Sequence, residues 1–180
     1  MRKNKKAWDY FFGSLNPDIA LLQETSPLND DYQFNVINKN VKKNLNNSIL
    51  FKTDQPQELP IEDAHKMGLI SSRYQTENED IFLLSVYGNL SFVGTLDFVL
   101  LETIEHFVKE MRQNFNAKDI LISGDFNMDR RMDENPTKSK FSKKGETRHN
   151  NFFDGILDLG FRDCLRKYHS LPMRTYRHNR

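Results

Sequence analysis

Sulfur chemistry is nearly absent from this sequence: of 180 residues one is cysteine, Cys164. That excludes an intramolecular disulfide framework and suits a reducing cytoplasm. No apolar run approaches the roughly 18 residues a helix needs to span a bilayer. The basic start, Met1-Arg2-Lys3-Asn4-Lys5-Lys6, is not followed by the apolar stretch of a signal peptide. The expectation is a soluble cytoplasmic protein. Internal repeats and dividing linkers are also lacking, and 180 residues suit one domain of ordinary size. A single domain over residues 1–180 is therefore expected. Hydrophobic residues make up 37%, with 14 phenylalanines, which is enough for a core.

Net charge is only +1, yet it is unevenly placed. Met1 to Asp129 holds 13 Lys/Arg against 19 Asp/Glu, a net −6. Arg130 to Arg180 holds 13 against 6, a net +7. An acidic part joined to a basic part suits a site that holds a cation and faces a polyanion, although charge alone also fits a solvated surface.

Trp8, Phe11, Phe12 and Leu15 have the spacing of one buried helix face, ended by Asn16-Pro17. Ile19 to Leu22 is a continuous apolar run, as in a strand covered on both faces. Tyr32–Ile37 and Ser48–Phe51 read as two more strands, and with no helix between them they suggest a hairpin and mixed sheets. Residues 53–80 are placed only loosely. Ile81–Tyr87 reads as a strand and Thr95–Phe115 as a long helix. In that helix Leu96, Val99, Leu100, Ile104, Phe107, Val108, Met111 and Phe115 keep a 3.6-residue period. Ile120–Ile122 is a short buried strand. Residues 129–150 read as a loop by composition, and Phe152 to Leu157 as a short helix stopped by Gly160.

Two strand ends carry chemistry. Asp18-Ile19-Ala20-Leu21-Leu22-Gln23-Glu24 puts a carboxylate directly after one apolar strand. Ile120-Leu121-Ile122-Ser123-Gly124-Asp125-Phe126-Asn127 puts an Asp and an Asn, two apart, after another. On extended chain Asp125 and Asn127 share a side, and Gly124 permits close backbone approach. Taken singly, an acidic residue after a strand is ordinarily a cap or turn residue. A hard cation such as Mg²⁺ takes one or two such carboxylates and leaves its other positions to water and phosphate oxygens, while a second carboxylate orients an attacking water.

Both strings resemble motifs of the exonuclease–endonuclease–phosphatase (deoxyribonuclease-I-like) superfamily, the "pDIalLQE" and "GDFN" segments. Further similarities are Trp8–Leu15 to the preceding helix, Ser48–Phe51 to an "aiL" strand and Ser85–Asn89 to a "vYxpN" strand end. Phe153–Leu165 resembles "lldlGlxD", and Thr175-Tyr176-Arg177-His178 resembles "pTyrh". The resemblance implies an α/β fold: a four-layer α/β/β/α sandwich of two mixed sheets flanked by helices. It implies Glu24 as a Mg²⁺ ligand (Mn²⁺ as an alternative), Asp125 as the group that orients and deprotonates water, and Asn127 as its support. Tyr87 matches a tyrosine that points into the pocket in the nuclease branch, and Asn89 a phosphate contact, although Gly88 and Leu90 depart from the usual spacing. Tyr87 reads equally as a strand-end core aromatic. Lys138, Lys140, Lys143, Lys144 and Arg148 follow GDFN and suit a phosphate backbone.

The family pattern has two further anchors, a "WN" asparagine on the first strand and an Asp-His pair on the last. Neither occurs here, and His65, His106, His149, His169 and His178 read as surface or packing residues. The expectation is a fold incomplete at both ends, prone to self-association, with a second chain supplying the missing strands as one remedy. The leading functional reading is a Mg²⁺-dependent phosphodiesterase or nuclease acting on nucleic acid. The alternatives are a phosphatase for a small or lipid phosphoester, and an inactive remnant or binding module. Endo- versus exo-action stays open.

Overall fold

A computed structural model describes residues 5–26, 33–42, 45–53, 56–60, 68–88, 96–126 and 143–168. Its elements are α1 (Lys5–Tyr10), a π-helical turn (Phe11–Leu15), β1 (Ile19–Thr25), β2 (Asn35–Lys42), β3 (Leu45–Phe51), β4 (Gln57–Leu59), β5 (Leu69–Gln75), β6 (Asp80–Tyr87), α2 (Leu96–Phe115), β7 (Asp119–Asp125), α3 (Lys143–Asp158) and α4 (Cys164–Tyr168). They form two compact units, Met1–Phe92 with His106–Asn127, and Val93–Glu105 with Met128–Arg180.

The first unit holds both sheets. One has the order β1-β3-β2 and is antiparallel throughout. The other has the order β4-β5-β6-β7 and is mixed, because β7 runs parallel to β6. A parallel neighbour needs a crossover, and the chain between β6 and β7 runs through α2.

Alternation along the strands decides what each face meets. Ile37, Ile49, Phe51, Ile70 and Leu83 form one buried cluster between the sheets, with Ile19, Leu21, Tyr74 and Ile81 packed on it. The opposite face of the three-stranded sheet gives Ala20 and Leu50 to a second cluster with Trp8 and Phe11. The outer face of β6 meets the C-terminal half of α2, with the Phe82 and Phe115 rings 5.5 Å apart. Within this unit the order is helix, sheet, sheet, helix, as the resemblance implies, although among the described strands only the four-stranded sheet is mixed and the three-stranded one is antiparallel. Each fully buried Leu, Ile or Phe contributes roughly 1.5–3 kcal/mol by leaving water, so these clusters hold the layers together.

Several local expectations change. Leu15 is 57% exposed, not buried. The amide of Asn16 donates to the Phe11 carbonyl, a wide i→i+5 turn that rotates Leu15 off the apolar face. Val99 is 43% exposed, at the rim of the α2 stripe. The hairpin is present; among the described residues its first strand spans Asn35–Lys42, five residues longer at its end than the expected Tyr32–Ile37, of which Tyr32 lies outside the described residues. The loosely placed stretch contains β4 and β5. There Ser71 and Ser72 are buried because their hydroxyls donate to the Leu59 and Gln57 carbonyls.

In the second unit α3 begins at Lys143, inside the stretch expected to be a loop. Lys143, Lys144 and Arg148 therefore lie on a helix. The apolar end of α3 buries Phe152, edge-on to Phe153. Gly155 sits against Leu101, whose Cδ2 would be 2.7 Å from an added Cβ. The helix ends as expected before Gly160, which takes φ +88°. Among the described residues no helix is long and apolar enough to cross a membrane.

Candidate active site

The carboxylate at the end of β1 is presented by a distortion. β1 pairs in register with β3 from Ile19 to Leu22, and the register then shifts before Thr25. Glu24 occupies the shift with φ +52°, a left-handed conformation that costs a non-glycine residue of order 1–3 kcal/mol. By simple alternation Glu24 would follow Ala20 and Leu22 toward Trp8. The bulge swings it instead to the facing sheet, where its Oε1 accepts a hydrogen bond from the Tyr87 hydroxyl at 2.7 Å. Thr25, turned the other way, is 1% exposed and bonds Ser48 Oγ at 2.8 Å.

The second carboxylate is presented by close packing. Tyr87 and Asp125 are register partners at the ends of β6 and β7, and the Gly88 amide donates to the Asp125 carbonyl at 2.7 Å. Gly124, with φ +151°, passes so near β6 that an added Cβ would strike the Val86 carbonyl. A Cβ at Gly88 would strike the Phe126 carbonyl. The two glycines flanking this crossing are thus needed for the approach.

Beneath these ends lies a polar network that the sequence reading missed. Gln23 Nε2 donates to Ser85 Oγ at 3.0 Å, and Ser85 Oγ donates to Asn47 Oδ1 at 2.6 Å. Asn47 Nδ2 donates to the Gly68 and Ser85 carbonyls at 2.7 and 3.0 Å. Asn47 and Ser85 are both fully buried. The available signal was Asn47 itself, a strand-disfavoured residue just before an apolar run.

The structure therefore brings together Glu24, Tyr87 and the strand end carrying Asp125. Asn89, Asn127, Lys138 and Lys140 lie outside the described residues, as do the side chains of Lys143, Lys144 and Arg148. His106 is exposed on α2, 3.7 Å from Glu110.

Among the described residues no three of His, Cys, Asp or Glu gather to hold a metal unaided. Mg²⁺ needs no such cage, since one or two carboxylates suffice when waters and substrate phosphates complete the shell. The donor set fits a hard divalent cation.

No protein-family model and no curated protein matches the chain. Solved structures do match. An AP endonuclease from Archaeoglobus fulgidus is similar over 87% of this chain and 66% of its own, with 19% identity and a TM-score of 0.56. The endonuclease domain of TRAS1, a telomere-specific non-LTR retrotransposon, is similar over 83% of this chain and 61% of its own, with 17% identity and a TM-score of 0.53. The chain thus spans less than two thirds of the length of either neighbour. Both neighbours are members of the deoxyribonuclease-I-like superfamily, and the fold of this chain is the α/β fold of that superfamily.

Proposed function

We propose that the chain is a divalent-metal-dependent phosphoester hydrolase that cleaves nucleic acid by attack of water on phosphorus. The observation that carries this reading is the 2.7 Å bond from the Tyr87 hydroxyl to Glu24, with Tyr87 the register partner of Asp125. Glu24 and Tyr87 meet across the two sheets, and Asp125 ends the strand beside Tyr87. Glu24 is the metal-holding carboxylate, and when bound the ion withdraws charge from the phosphoryl group. Tyr87 fixes the orientation of that carboxylate, as outer partners of metal ligands do. Asp125 orients the attacking water and accepts its proton. Asn127 supports Asp125, Asn89 contacts phosphate, and Lys138, Lys140, Lys143, Lys144 and Arg148 supply charge toward the backbone of the substrate. Both solved neighbours are endonucleases, which favours nucleic acid over a small or lipid phosphoester.

The test is nicking of supercoiled plasmid by the purified chain with Mg²⁺, beside an Asp125→Ala variant. Nicking should require the metal and fall about 10²-fold or more in the variant, the usual reach of a lost general base. Equal nicking by both proteins would remove Asp125 from its role. Silence of the wild-type chain, on plasmid and on a simple phosphodiester alike, would favour the inactive remnant.

A further inference from the structure

We infer that Asn47, Ser85 and Gln23 are positioning residues: they form a buried circuit that sets where Glu24 and Tyr87 meet. This rests on the hydrolase reading above. The circuit can be walked. Gln23, the residue before Glu24, donates to Ser85 Oγ. Ser85 Oγ donates to Asn47 Oδ1, and Asn47 returns its two amide hydrogens to the Ser85 and Gly68 carbonyls. The Gly68 carbonyl also accepts the backbone amide of Tyr87, at 3.2 Å. The Tyr87 hydroxyl then reaches back to Glu24 at 2.7 Å. The path leaves the three-stranded sheet at Gln23, returns to it at Asn47, crosses again to the Gly68 carbonyl and Tyr87, and closes at Glu24.

Magnitudes separate positioning from adhesion. A net hydrogen bond is worth about 1 kcal/mol, so four of them add less than the apolar cluster beside them, with its fully buried Ile49 and Phe51. Their effect is directional. Asn47 and Ser85 have no access to water, and a buried polar group without a partner costs about 1–3 kcal/mol. A slip of one sheet against the other would strand several such groups together, whereas apolar contacts tolerate sliding. Polar residues of this kind select one arrangement. The arrangement selected here holds the strained Glu24 in reach of Tyr87.

The test is a double-mutant cycle of Ser85→Ala with Tyr87→Phe, read on plasmid nicking and on urea unfolding. Ser85→Ala should lower kcat about tenfold with KM little changed, because the geometry of the site is lost and not its affinity. The double variant should fall short of the product of the two single losses by about fivefold or more, since both changes open one circuit. Losses that multiply to within about twofold would overturn the proposal, as would a rise in KM at unchanged kcat. Gln23→Met crossed with Tyr87→Phe repeats the cycle at a half-buried position, should Ser85→Ala fail to fold. Unfolding constants read the same coupling without substrate. A wild-type chain silent on plasmid and on a simple phosphodiester alike sinks the hydrolase reading, and the unfolding cycle then decides this one by itself.

Discussion

The ends of β1 and β7 solve one problem in opposite ways. Each must carry a carboxylate past the end of a strand to a common place. In β7 the unusual backbone belongs to Gly124, and Asp125, the residue with the chemistry, is not among the residues with positive φ. In β1 the unusual backbone belongs to Glu24 itself. Strain at β7 is thus carried by a residue without a side chain, for which it costs little. At β1 strain and function share one residue, and the hydrogen bond from Tyr87 together with the circuit below it must hold that residue in place. A trade-off between stability and activity is therefore built into the Glu24 end and largely absent from the Asp125 end.

The comparison breaks most visibly at Gly124. A Cβ there collides with backbone, the Val86 carbonyl, and no side-chain rotation relieves it. Gly124→Ala should lower unfolding free energy by about 2–4 kcal/mol in urea titrations. A loss within about 0.5 kcal/mol would mean that β6 and β7 do not approach so closely. The next effect is smaller and of unusual sign. Glu24→Gly and Glu24→Ala both remove the carboxylate, so both should abolish hydrolysis. They differ in backbone freedom alone, and at φ +52° glycine should be the more stable by about 1 kcal/mol. Ordinarily alanine is the better strand residue, so an alanine variant of equal or greater stability would show that Glu24 is not strained.

How far the sequence disclosed this arrangement follows the same division. Gly124 was legible because glycine before an acidic residue is itself the signal for close approach. Glu24 was legible as a residue, through its place after Ile19–Leu22, yet its bulge was not. A left-handed glutamate carries no mark in the sequence, since the surrounding fold imposes the conformation. Tyr87 was named, but as one of two readings, and the hydroxyl bond to Glu24 depends on two strands far apart in sequence. β5 escaped for a related reason: Ser71 and Ser72 look like surface residues until the carbonyls they satisfy are in place. Lys143 to Arg148 read as loop because polar residues and Gly145 hide a helix whose apolar face begins only at Phe152. Long apolar periods, as in α2 and Ile81–Tyr87, were readable because burial there needs no partner chemistry.

The smallest effect lies at the far end of β6 from Tyr87. Arg73 Nε and Nη2 donate to Asp80 Oδ1 and Oδ2 at 2.8 and 2.9 Å. The guanidinium carbon is 5.4 Å from the centroids of both Phe82 and Phe115. The hydrogen bonds from Arg73, aided by its charge and opposed by burial, hold the Asp80 carboxyl below the ordinary 3.8. A carboxyl with a folded pKa below its unfolded one contributes stability that is complete above the unfolded value. That stability is lost as pH falls through the folded value. The two side chains are 20% and 38% exposed, so solvent and salt weaken the pair. Asp80→Asn should therefore unfold at slightly lower urea from neutral pH down to about pH 5. The gap should close as pH drops below 3.8 and narrow in high salt. A gap that persists unchanged in strong acid would assign the effect to shape and not to charge.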